Sequence, residues 1–358
     1  MPITPPTPLA KRPLTSTRED GRVTTADVPP SEAATAHETV VARPKRRRLR
    51  SLFRVCAVLF VVVTLASFGY NFATKPVASR PPGLTYVQAA DVHTRYRTWG
   101  TSGLPIVLIP GAFETADTFD ALARVLALHH RVFALDLTGT GYSDAVAPFT
   151  VEHFTAQVVG FITAMRLTGS NAPVVVGHSS GAAVAGLAAL RDPWQIAGVM
   201  FLDGDALPLA APSFLHAVFI NPYRTTLFRL GLSSDWVVRT IYDSQCGPRC
   251  PKLDASGVEV WRRPLQQPGN EEALWSIVNV GIPSLTPTQT SELRAIPTPK
   301  SVVFGIDDPQ FSHDNARKVA VRIGAPPTVF VPGRHLTMIS SPDEVAAAIE
   351  QLVARTRG

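Results

Sequence analysis

Net charge is almost absent from most of this chain. Residues 1–54 hold eleven Lys and Arg against five Asp and Glu, which accounts for the whole formal charge of +6 over 358 residues. Residues 55–358 are therefore formally neutral, and the pI near 9.5 describes a tail. A nucleic-acid groove in the folded part is not expected. Cysteine is also scarce, with three in the chain. Cys56 lies inside an apolar run, which leaves Cys246 and Cys250 around Gly247-Pro248-Arg249. Such a pair can close a small loop in an oxidising compartment; two separate buried thiols are the alternative. No further ligands cluster beside them, so neither a metal site nor a cofactor is expected.

Large apolar residues are few in the first 44 positions, which are rich in Pro, Thr and Ala and show neither helical nor strand period. Such a segment cannot bury enough surface to offset its ordering entropy, so residues 1–50 read as a disordered basic tail. A docking arm is the other use of such a tail, but no motif marks one. After Lys45-Arg46-Arg47-Arg48 comes an uncharged stretch, Val55 to Ala73. Nineteen helical residues at about 1.5 Å each cover close to 30 Å, enough for a hydrocarbon core. Residues 51–74 are therefore expected to form one transmembrane signal anchor, followed by a linker at 75–83. Seven cations lie between Arg43 and Arg54, whereas Lys75 and Arg80 alone follow the span closely. That asymmetry predicts a single-pass protein with a cytoplasmic N-terminus and its folded part outside the cytoplasm. The competing reading is a cleaved signal peptide with a weak site at Val77-Ala78-Ser79.

From Leu84 onward strand and helix alternate, as a mostly parallel sheet covered on both faces requires. Residues 85–90 and 92–99 read as an antiparallel opening pair. Strands are expected at 105–109, 131–135, 173–176, 196–202, 301–306 and 328–331, with helices at 116–127, 150–167 and 182–191. The last helix is expected to open on a capping box, Ser341-Pro342-Asp343-Glu344. The rhythm lapses at about 206–297, where short apolar helical pieces (214–220 and 236–242 among them) predict a lid over the carboxyl ends of the strands.

Chemistry enters at Gly177-His178-Ser179-Ser180-Gly181, directly after the apolar run Pro173-Val174-Val175-Val176. A buried strand ending in Gly-x-Ser-x-Gly and opening into an Ala-rich helix lifts a serine hydroxyl clear of the sheet on a tight turn. A serine hydroxyl needs an adjacent base, and the base an orienting group. His335 follows a strand at the turn Pro332-Gly333-Arg334, and Asp308 ends another strand beside Pro309.

Four stretches together resemble the α/β-hydrolase family over roughly Leu84 to Gly358: the elbow, Asp136-Leu137-Thr138-Gly139-Thr140-Gly141-Tyr142-Ser143-Asp144, Gly305-Ile306-Asp307-Asp308-Pro309 and Gly333-Arg334-His335. The resemblance implies an α/β-hydrolase fold with an inserted helical lid. Ser179 would be the nucleophile, His335 the base and Asp308 the acid. Asp205 or Asp203 stand second and Asp307 third for the acid; His313 is the rival base. Gly139, Gly141, Ser143 and Asp144 are expected to brace turns. Oxyanion donors would be the backbone amides of Ser180 and Ala112, with Phe113 as fallback. The family's usual His-Gly before that loop is Pro110-Gly111 here, which leaves the loop's support open. The implied activity is a membrane-anchored serine esterase or lipase acting on a small apolar acyl ester. A C–C bond, amide or peptide hydrolase, an acyl transferase to alcohols, and a catalytically silent binding module of the same fold are the alternatives.

Overall fold

The strands form where short apolar runs lie between turn residues. The structure, a computed structural model, describes residues 45–208 and 220–356. The antiparallel opening pair is β1 (Thr85–Ala89) and β2 (Val92–Trp99). It continues into β3 (Pro105–Ile109), β4 (Arg131–Leu135), β5 (Val174–His178), β6 (Gly198–Leu202), β7 (Lys300–Gly305) and β8 (Val329–Val331). The eight strands are ordered β1-β2-β4-β3-β5-β6-β7-β8. Pairing is antiparallel from β1 through β4 on the β2 side and parallel from β4 to β8.

Helices cover both faces, which is why the central strands are apolar at every position and not at alternate ones. In β3, Val107 and Ile109 join one core cluster while Ile106 and Leu108 join the other, and all four are fully buried. Before the strands lies α1 (Lys45–Ala73). After a 3-10 turn at Ala116–Phe119 come α2 (Asp120–Leu126), α3 (Val151–Ala164) and α4 (Gly181–Arg191). Between β6 and β7 the chain adds α5 (Tyr223–Ser233), α6 (Asp235–Cys246), α7 (Ala255–Leu265), α8 (Asn270–Val280) and α9 (Pro287–Ala295). It closes with α10 (His313–Ile323), the single turn α11 (Thr337–Ser340) and α12 (Pro342–Thr356).

The expected helical piece at 214–220 falls, apart from Ile220, outside the described residues, as do residues 1–44 of the expected tail; its last residues, 45–50, are helical and open α1. The piece at 236–242 lies within α6. In α9, Leu293 packs with Leu285 against Gly186 of α4, so this end of the insertion serves the sheet's helical layer. Ser341 departs from the expected capping box. Its hydroxyl is turned to the Pro332 carbonyl and ties the start of α12 to the turn that carries His335.

The chain falls into two units, Met1–Ala57 and Val58–Gly358. Within α1, Leu49–Ala73 has a mean hydropathy of 2.2 over its apolar window and is long enough to cross a membrane. Its large apolar side chains, among them Val58, Val61, Leu65 and Phe72, are exposed.

Candidate active site

Ser179 sits at the turn from β5 into α4 with φ of 50°, in the left-handed region that a side chain adopts at a cost. The surrounding glycines make the turn sterically feasible. A Cβ at Gly177 would overlap the Gly181 carbonyl, and one at Gly204 would overlap the Ser179 carbonyl. The Ser179 amide donates to the Leu202 carbonyl at 2.9 Å, which pins the turn to the end of β6.

His335 reaches over from the loop after β8. Its Nε2 lies 3.0 Å from the Ser179 Oγ, and its Nδ1 lies 2.9 Å from the Asp308 Oδ2. Asp308 is held in turn by the Gln310 amide, which donates to its Oδ1 at 2.8 Å. Residues 179, 308 and 335 thus form one hydrogen-bonded chain across three connections of the sheet.

The other carboxylates do different work. Asp203 accepts from the amides of Gly305 and Thr337 and from the Thr337 hydroxyl, joining β6, β7 and α11 below the site. Burial pushes its carboxyl up to about 6, outweighing the pull of His178. Asp205 accepts from the Leu207 amide, and Asp307 is exposed. His313 opens α10 and bonds the Ile306 carbonyl through Nε2.

Support for the loop after β3 comes from Glu114, which sequence reasoning missed. Its buried Oε2 accepts from the Gly111 amide at 2.9 Å and pairs with His178 Nδ1 at 2.8 Å. His178 Nε2 donates to the His335 carbonyl at 2.8 Å. Burial by itself would lower the His178 pKa, but the Glu114 charge and hydrogen bond, with Asp203 3.7 Å away, raise it to about 9. Glu114 is correspondingly held below the usual carboxylate range despite its burial. A buried, charged pair therefore ties the Gly111 loop to the His335 backbone beside Ser179. No local pattern betrays this contact, because its partners are 64 residues apart.

Of the two expected oxyanion donors, Ala112 donates its amide to the Ser180 hydroxyl at 2.9 Å. Phe113, with φ of 69°, turns its exposed side chain into the cavity above. Asp136 is the hub of the motif that follows β4. Its carboxylate accepts from the amides of Ala116 and Tyr142 and pairs with buried Arg95. A Cβ at Gly141 would collide with that carboxylate, so the glycine there is a packing requirement. Ser143 accepts from the Arg95 amide, and Asp144 pairs with Arg80.

Helices α5 to α8 of the insertion, the cap, roof a cavity of about 630 Å³ whose floor includes Ser179 and His335. Its walls are mostly apolar, with Phe228, Val238, Ile241, Trp261 and Trp275 among them. The C-terminal end of α6 meets the site directly. The Gln245 carbonyl accepts from the amides of His335 and Leu336 at 2.9 and 3.3 Å, and its side chain accepts from Gln310 at 2.7 Å. Cys246 and Cys250 form a disulfide immediately beyond.

A sequence model of the alpha/beta hydrolase family matches residues 106–348. The chain belongs to that family. Pyrethroid hydrolase of Sphingobium wenxiniae is 32% identical over 120 residues, covering 33% of this chain and 40% of its own length. Human monoglyceride lipase is 33% identical over 143 residues, covering 37% of this chain and 43% of its own. The chain thus spans less than half the length of these curated relatives. A solved structure described as a membrane phospholipase A, a bacterial virulence factor, superposes with a TM-score of 0.62 at 22% identity. That match covers 87% of this chain and 99% of the other. At that identity it shows the fold.

Proposed function

We propose that this α/β hydrolase is a membrane-anchored serine esterase that cleaves an apolar acyl ester through an acyl-enzyme. The observation that carries the reading is the hydrogen-bonded chain from Ser179 through His335 to Asp308 at the floor of an apolar cavity. His335 Nε2 takes the Ser179 proton as Oγ attacks the ester carbonyl, while Asp308 holds the Nδ1–H and steadies the imidazolium. Negative charge on the carbonyl oxygen is received by the amides of Ser180 and Ala112. Collapse expels the alcohol with the proton from His335 and leaves the acyl group on Ser179. Water then attacks with His335 as base, and the acid departs. The buried Glu114–His178 pair keeps the Gly111 loop and the His335 backbone in place throughout.

Anchoring rests on the 25-residue apolar stretch Leu49–Ala73 and on the basic cluster before it. Twenty-five helical residues reach about 37 Å, beyond the roughly 30 Å of a hydrocarbon core. The cations keep the N-terminus cytoplasmic and put the hydrolase domain on the other side.

Labelling by a fluorophosphonate probe, together with turnover of nitrophenyl esters of increasing chain length, tests the chemistry. Wild-type protein should label and hydrolyse. Ser179→Ala should lose the label and at least about 10³-fold in kcat, with an unchanged melting temperature. Wild-type rates at background across the whole ester series would count decisively against an esterase.

A further inference from the structure

The part of α1 that belongs to the second unit, from Val58 onward, is bonded to cap helix α5. Two adjacent stripes of α5 and the residue before it make the contact. On the first stripe, the Pro222 carbonyl accepts from the Asn71 side chain at 2.8 Å and Thr226 Oγ1 donates to Asn71 Oδ1 at 2.9 Å. Arg229, also on that stripe, donates to the Asn71 carbonyl at 2.6 Å and pairs with Glu271 at 2.7 Å. On the second stripe, Tyr223 shares a hydrogen bond of 2.6 Å with Thr64, and its ring lies 6.2 Å from that of Phe60. Thr64 is nine residues before Ala73, about 14 Å inside the end of the helix. The second stripe continues at i+4 and i+7 as Leu227 and Leu230, 59% and 47% exposed.

We infer that α5 lies in the outer leaflet of the membrane that α1 spans, and that the cavity over Ser179 opens into lipid there. The polar stripe bonds the end of α1, at the level of the head groups. The apolar stripe begins beside Thr64, at the level of the acyl chains, where exposed Leu227 and Leu230 have a matching solvent. Leu227 also lines the cavity, as does exposed Ile241, so the apolar face and the way to Ser179 are continuous. An open cleft of about 560 Å³ flanks the junction, with Lys75, Arg224, Arg229, Glu271, Glu272 and Trp275 along it. Its mixed charge suits a lipid head group, and Arg224 and Trp275 line both cleft and cavity. The substrate class that follows is an acyl ester carried by a membrane lipid, admitted sideways with its chain leading. This inference rests on the anchored-hydrolase reading above.

The test uses the full chain with Cys56→Ser, in vesicles of phosphatidylcholine and phosphatidylglycerol. An environment-sensitive fluorophore is placed on Leu230→Cys and, for comparison, on Val321→Cys, an exposed position of α10. The probe at 230 should be shifted to the blue, quenched by nitroxide-bearing lipid and shielded from aqueous iodide; the probe at 321 should behave oppositely. Leu230→Glu should cut hydrolysis of nitrophenyl palmitate dissolved in the vesicles by tenfold or more, leaving nitrophenyl butyrate in solution within twofold, and Leu230→Met should restore the first. Equal iodide quenching at 230 and 321 in carbonate-resistant protein overturns the inference and spares the anchor. Release by carbonate overturns both. Absent butyrate hydrolysis sinks the esterase and leaves the probe result to decide the immersion of α5.

Discussion

At the residue scale, the most consequential pair is one that takes no part in bond breaking. Glu114 and His178 are both buried, and their attraction outweighs the burial penalty enough to raise His178 to about 9. A histidine whose folded pKa exceeds its unfolded value of about 6.5 stabilises the fold fully below that unfolded value. The contribution is lost as pH rises through about 9. The melting temperature of the wild type should therefore fall between pH 7 and pH 10. Glu114→Gln should lower stability at pH 7 by about 3 kcal/mol, since it removes the nearest counter-charge of a buried imidazolium and leaves Asp203 at 3.7 Å, and should flatten the dependence above pH 7. Thermal melts of both proteins across that range measure this. A wild-type curve that is level from pH 7 to 10 would contradict it. Such a pair is invisible in sequence: an acid three residues after a glycine has no signature, whereas the elbow has one because its sterics confine it to Gly-x-Ser-x-Gly. Ser179, Asp308 and His335 were legible for the same reason, each lying on a turn whose composition is constrained. The hydroxyl of Ser341, turned from its expected cap to Pro332, was not, because a local pattern cannot register a partner from another strand's end.

At the scale of elements, α6 is both roof and buttress. Its last turn receives the amides of His335 and Leu336 on the Gln245 carbonyl, and Arg334 reaches the carbonyls of Asp243 and Ser244. The Cys246–Cys250 disulfide closes the turn that follows. Closing so short a loop contributes about 2 kcal/mol by chain entropy. Replacing both cysteines by alanine should lower stability by about that amount and, on the proposed mechanism, reduce kcat several-fold, with a smaller change in KM, because His335 loses a fixed support before the cavity loses its walls. Melting curves and nitrophenyl ester kinetics on the same preparation would check it; an unchanged kcat would mean that Gln245 stays in place without the bridge. The strands themselves were readable within one or two residues wherever an apolar run met a turn, as at 105–109 and 131–135. The insertion was readable as a lapse of rhythm, but which of its helices roof the cavity and which, like α9, pack on α4 depends on long-range contacts that no local period encodes.

At the scale of the whole molecule, charge is concentrated just before the apolar stretch that the proposed anchoring uses. Lys45, Arg46, Arg47, Arg48, Arg50 and Arg54 precede an uncharged helical stretch, while the folded part after it is neutral. Neutralising these six residues to Gln should raise the fraction of chains inserted the wrong way round, read as protease sensitivity of the hydrolase domain from the cytoplasmic side of sealed vesicles. Unaltered protection would show that orientation is fixed by something else. The bonds between Asn71, Thr226 and Arg229 have a kinetic consequence as well. Under the proposed anchoring, a catalyst whose roof is fastened to its own tether explores a plane, not a volume. Its rate should then track the mole fraction of ester among the surrounding lipids, and adding inert lipid should slow it at constant bulk ester, the mark of surface dilution.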